Sequence, residues 1–206
     1  MGGAPIARLM WLSRRADTHC VRGPRDVTGA DIVRVAKALA IEPRHFTQEA
    51  PAAVDDPAGI VLDNGRRRVM LTMANAAQGC VFLLRVAGGE GRCGLGDLAP
   101  LACHIFPLDP RSAPGGPAGA DDEAAEIGPV GPDLAVPPDL TPAQVAEVQR
   151  TWADDQAHWH EAVGRWNRGA GRPDDKPLGS WDFQRYLLEA QAARAAGRDW
   201  PEEVTP

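Results

Sequence analysis

Four cysteines are the residues of this chain best suited to chemistry: Cys20, Cys80, Cys93 and Cys103. Their spacing is C-x59-C, C-x12-C and C-x9-C, so three fall within 24 residues and the first lies far upstream. Four thiolates can close a tetrahedral zinc site or ligate an iron–sulfur cluster, because soft sulfur suits both. The spacing contains no C-x-x-C knuckle. By itself it leaves open shared ligation, a disulfide framework and ordinary buried thiols. His19 and His104 adjoin cysteines, where either could join the same centre or hydrogen-bond to a sulfur. His158 and His160 stand two apart on an expected helix, point to different sides and are not a ligand pair. No P-loop, G-x-G-x-x-G after a strand, G-x-S-x-G or H-E-x-x-H occurs, and no catalytic dyad is recognisable.

The elements that must position these residues are partly legible. Thr28 and Asp31 stand in a capping-box relation, and Ile32, Val35, Ala36 and Leu39 follow at helical spacing. Pro43 ends that pattern and opens a short helix through Gln48. Residues 59–73 read as a hairpin, with Asp63-Asn64-Gly65 as the turn between two β-prone runs. The segment from Cys80 to Pro107 is glycine-rich and expected to be loops and turns. Thr141-Pro142 starts a helix to about Asn167, and a last helix runs from Ser180 to about Ala196, stopped by Gly197. Trp152, Trp159 and Trp166, spaced by seven, form one stripe on the first of these. They are expected as a buried seam, with an aromatic ligand groove as the alternative.

The cysteine segment and its surroundings resemble a known family. Cys80-Val81-Phe82-Leu83, then Cys93, then Pro100-Leu101-Ala102-Cys103-His104-Ile105-Phe106-Pro107 are similar to the motifs of the YkgJ-like cysteine-cluster proteins. Cys20, Val27-Thr28 and Asp31-Ile32-Val33-Arg34-Val35-Ala36 fit that family's upstream cysteine and helix. The resemblance covers about residues 19–107. It implies a zinc- or iron-chelating domain in which Cys20, Cys80, Cys93 and Cys103 ligate one shared centre. The sequence departs from the pattern at three places. His19 stands where a second cysteine would be, Ala99 where an arginine precedes the proline, and His104 where an arginine follows the last cysteine. Structural zinc sites close a short C-x2–4-C chelate that is missing here, whereas ligands spread one per loop fit a cluster. An iron–sulfur cluster of the 4Fe–4S type is therefore preferred over zinc.

The expected fold is α+β: a small loop-rich, metal-centred cysteine domain with a helix and a β-hairpin, followed by two C-terminal helices. The expected domains are 1–107 for the cysteine cluster, 108–140 for a Pro/Gly/acidic linker, and 141–206 for a helical segment packed on the first. The 22 glycines and 19 prolines among 206 residues agree with long irregular connections. A net charge of −6 argues against nucleic acid or an anionic membrane as partner. No apolar run of membrane-spanning length and no leader are readable, so a cytoplasmic setting is expected, with a protein partner left unspecified. These readings converge on a metal-binding protein with a structural, electron-transfer or accessory role. The alternative is a cluster-dependent modification enzyme or its accessory subunit, and a third reading is an interaction module built on the tryptophan helix.

Overall fold

The computed structural model describes residues 19–21, 25–85, 91–106, 140–169 and 177–198. The linker expected at 108–140 lies outside them, except for Leu140. The chain is α+β. Its elements are β1 (Arg25–Asp26), α1 (Gly29–Leu39), a 3₁₀ turn (Pro43–His45), β2 (Thr47–Pro51), β3 (Ile60–Leu62) and β4 (Arg67–Met73). There follow β5 (Asn75–Ala76), β6 (Gly79–Cys80), β7 (Leu83–Arg85), β8 (Gly91–Cys93), a second 3₁₀ turn (Gly96–Leu98), α2 (Leu101–Ile105), α3 (Pro142–Gly169) and α4 (Ser180–Ala195). Two compact units divide the chain: Met1–Arg25 with Asn75–Asp154, and Asp26–Ala74 with Asp155–Pro206. Among the described residues, no helix is long and apolar enough to cross a membrane.

The second unit is held by apolar burial. Helix α1 starts on a complete capping box: Asp31 N–H donates to the Thr28 hydroxyl at 3.1 Å, and Thr28 N–H donates to the Asp31 carboxylate at 3.0 Å. Two otherwise orphaned donors are thereby satisfied. Ile32, Val33, Val35 and Ala36 then turn inward. The expected hairpin is present, β3 pairing antiparallel with β4. Its turn carries positive φ at Asp63, Asn64 and Gly65, conformations that Asp, Asn and Gly tolerate best.

The helix expected through Gln48 ends after one 3₁₀ turn, and Thr47–Pro51 is instead strand β2, antiparallel to β4 with Thr47 opposite Met73. The segment has little strand propensity of its own; pairing with β4 overrides it.

Trp159 and Trp166 meet Phe183 of α4 edge-on, with ring centroids 5.6 and 5.3 Å apart. Trp166 is fully buried. Its indole N–H donates to the Val61 carbonyl at 2.8 Å, and the Asn167 side chain accepts from Val61 N–H and donates to the Gly59 carbonyl. These bonds satisfy the β3 groups that β4 does not reach. Gly29 makes room for the packing: a Cβ there would stand 2.8 Å from Trp159 and 2.9 Å from Leu187. Burying one such indole contributes about 2–3 kcal/mol. The tryptophan stripe is thus core: Trp152 is 8%, Trp159 2% and Trp166 0% exposed. Among the described residues the three rings are therefore buried side chains and not an exposed aromatic face.

The first unit has shorter pieces. Hairpins β5–β6 and β7–β8 are two-stranded, with Asn75 opposite Cys80 and Leu83 opposite Cys93. Helix α2 is five residues long and follows Pro100. Two-stranded pieces of this size are marginal by themselves, so single backbone contacts have more influence here.

Candidate thiol site

The four cysteines occupy a turn, two strands and a short helix, all in the first unit. Cys20 lies in the 19–21 turn, Cys80 ends β6, Cys93 ends β8 and Cys103 sits in α2. Among the described residues no disulfide is formed, and Cys20 and Cys103 are buried, Cys80 and Cys93 half-buried. The 19–21 turn is fixed to β6 by the Cys80 N–H, which donates to the Cys20 carbonyl at 2.7 Å. Gly79 permits this approach. It has φ +116°, and a Cβ on it would stand 2.2 Å from the Cys20 oxygen. Any other residue would force the two segments apart.

The fixed turn presents His19 to α2. Its Nε2 lies 3.5 Å from the Cys103 sulfur. Its ring also lies against Phe106, with centroids 4.2 Å apart and planes inclined by 30°. Cys103 and Phe106 are three positions apart, the spacing that puts two side chains on one face of a helical turn. One imidazole therefore meets both. His104, the other histidine beside a cysteine, is half-buried on α2.

Cys80 has a different environment. Burial pushes its thiol up, and the nearby Cys93 adds to that; the Phe82 backbone N–H and the Arg25 charge oppose it without reversing the direction. Burial thus favours the protonated form of the Cys80 thiol over the thiolate. Hairpin β7–β8 brings Cys93 back beside Leu83, with Gly94 N–H donating to the Phe82 carbonyl at 2.7 Å.

This arrangement overturns the metal centre expected from sequence. Among the described residues, no three of His, Cys, Asp and Glu are grouped so as to hold a metal ion. The four-cysteine centre of Cys20, Cys80, Cys93 and Cys103 is therefore not formed, and the iron–sulfur, 4Fe–4S and zinc readings fall with it. So do the metal-binding function and the cluster-dependent enzyme offered as its alternative. The physical reason lies in how the cysteines meet their neighbours. Cys20 and Cys80 meet through a backbone hydrogen bond, and the Cys103 sulfur faces an imidazole. The sequence also has no short chelate that would bring sulfurs together within one loop. The feature that sequence reading missed is the pairing of His19 with Cys103, 84 positions away. Its only signal was the histidine adjoining a cysteine, which allowed a hydrogen bond to a sulfur without saying to which one.

Comparison with family models, curated proteins and solved structures gave no match to the chain.

Proposed function

We propose that the protein works by metal-free thiol chemistry, with Cys103 as the nucleophile and His19 as its base, exchanging with small disulfides. The observation that carries this reading is the 3.5 Å contact between the Cys103 sulfur and His19 Nε2. An imidazole at that distance can take the thiol proton and stabilise the thiolate as an ion pair, which is the reactive form of cysteine. The thiolate attacks one sulfur of a disulfide R–S–S–R. A Cys103–S–S–R bond forms, the original S–S bond breaks, and R–S⁻ leaves and takes the proton that His19 received. Cys103 is only 9% exposed, which restricts the partner to small reagents. A reducing cytoplasm is the setting that suits chemistry by thiols. In the same reading the chain is a divergent relative of the YkgJ-like proteins, with His19, at a position where they carry cysteine, serving the last cysteine as a base.

The test is the pH dependence of alkylation by iodoacetamide, read at each cysteine by peptide mass mapping. Cys103 should react fastest at neutral pH, with its rate profile displaced to lower pH, and His19→Gln should slow it roughly tenfold or more. A Cys103 profile like that of an ordinary thiol, unchanged in His19→Gln, would refute the reading.

A further inference from the structure

The thiol pair needs more than proximity. The imidazole must keep Nε2, and not a carbon of the ring, turned to the Cys103 sulfur. The last torsion of a histidine side chain is broad and roughly two-fold, so the backbone of the 19–21 turn does not by itself fix the ring plane. Phe106 supplies a contact that does. Its ring lies against the imidazole, with centroids 4.2 Å apart and planes inclined by 30°. A neighbour stacked in this way limits rotation of the imidazole, while Nε2, in the plane of the ring, reaches the Cys103 sulfur at 3.5 Å.

One short element makes both contacts. Cys103 lies in α2, and Phe106 is the cap at its C-terminal end. Residue 107 is proline, which disfavours helical backbone in the residue before it. Phe106 accordingly leaves the helix at ψ 135°. Its ring thus stands on the same element as the sulfur and moves with it. The fully buried side chain of α2 is Ile105, whereas Phe106 is half-buried. Core filling falls to Ile105, and the Phe106 ring packs against His19. We infer that Phe106 is a positioning residue of the thiol site, holding the His19 imidazole in the orientation that presents Nε2 to Cys103. The inference rests on the reading of Cys103 as nucleophile and His19 as base.

The test is the rate at which iodoacetamide alkylates each cysteine of the full chain at neutral pH, in Phe106→Leu and Phe106→Tyr, each made with and without His19→Gln. Phe106→Leu should slow Cys103 roughly two- to tenfold, the size of one aromatic pair contact, and leave Cys20 unchanged. Phe106→Tyr, which keeps the ring, should restore most of the wild-type rate. With His19→Gln already present, Phe106→Leu should make no further difference, because the ring acts only through the imidazole. A Cys103 rate in Phe106→Leu equal to or above that of wild type overturns the inference and leaves the His19 dependence of Cys103 standing. Equal slowing with and without His19 overturns it too, since that is packing, as does faster alkylation of Cys20, which marks loss of the fold. A Cys103 rate indifferent to His19→Gln alone sinks the underlying reading instead.

Discussion

The two units of this chain solve the positioning problem by different physics. In the unit built from 26–74 and 155–206, large apolar rings do the positioning. Trp159, Trp166, Phe183 and Tyr186 interlock, and the strands and helices around them follow from burial. In the unit that carries the cysteines, short hairpins and a five-residue helix bury less apolar surface. There, one backbone hydrogen bond and one glycine hold the turn that carries His19 against β6. The aromatic unit should therefore respond to lost volume, and the thiol unit to lost backbone freedom.

The largest expected effect is in the aromatic unit. Trp166→Ala removes a fully buried ring and the hydrogen bond to the Val61 carbonyl. It should cost about 3–5 kcal/mol, read as a lower urea midpoint in denaturation followed by tryptophan fluorescence. A loss below about 1 kcal/mol would mean that the ring is not part of the core described.

In the thiol unit the corresponding change adds volume. Gly79→Ala places a Cβ against the Cys20 oxygen at a φ that alanine rarely adopts. A cost of about 2–3 kcal/mol is expected, together with loss of the slow hydrogen exchange of the Cys80 amide. Protection of that amide unchanged from wild type would show that the 19–21 turn is not held by it.

Legibility in the sequence follows the same division. The Thr28–Asp31 capping box, the Asp63-Asn64-Gly65 turn and the Gly197 stop were readable because each is a contact within a few residues. Strand β2 was not, since Thr47–Pro51 becomes a strand only through pairing with β4. The contact between His19 and Cys103 spans 84 positions and leaves no periodicity to read. The cysteine order fits a family pattern, yet order and spacing do not say where a sulfur points. The 19–21 turn is held against β6 by Gly79 and by the Cys80 to Cys20 hydrogen bond, and nothing in the local sequence of Cys20 encodes either.

A smaller effect sharpens the comparison inside the aromatic unit. Thr28→Ala removes the hydroxyl that caps α1 and should cost about 1 kcal/mol. Thr28→Ser, which keeps the acceptor, should recover most of it. Equal losses in both variants would assign the effect to the buried methyl group and not to the cap.

The smallest effect is on pH dependence. Tyr186 is the chain's one tyrosine. Burial pushes its phenol up; Arg165 and Arg168 pull against this without reversing it. The stability linked to the neutral phenol is complete below the unfolded tyrosine value of about 10 and declines as pH rises through the higher folded value. An ultraviolet titration should show phenolate forming later than in the urea-unfolded chain. Coincident curves would contradict this.

The central claim is that His19 makes Cys103 the reactive thiol of the chain. Its most direct measurement is the capture of mixed disulfides. The full-length protein is mixed at neutral pH with a small uncharged disulfide, and the added mass is mapped to each cysteine over time. The account predicts that Cys103 is modified first and that His19→Gln removes its lead while Cys80 remains slow. Modification that begins at Cys80 or Cys93, or a Cys103 rate indifferent to His19, would contradict it.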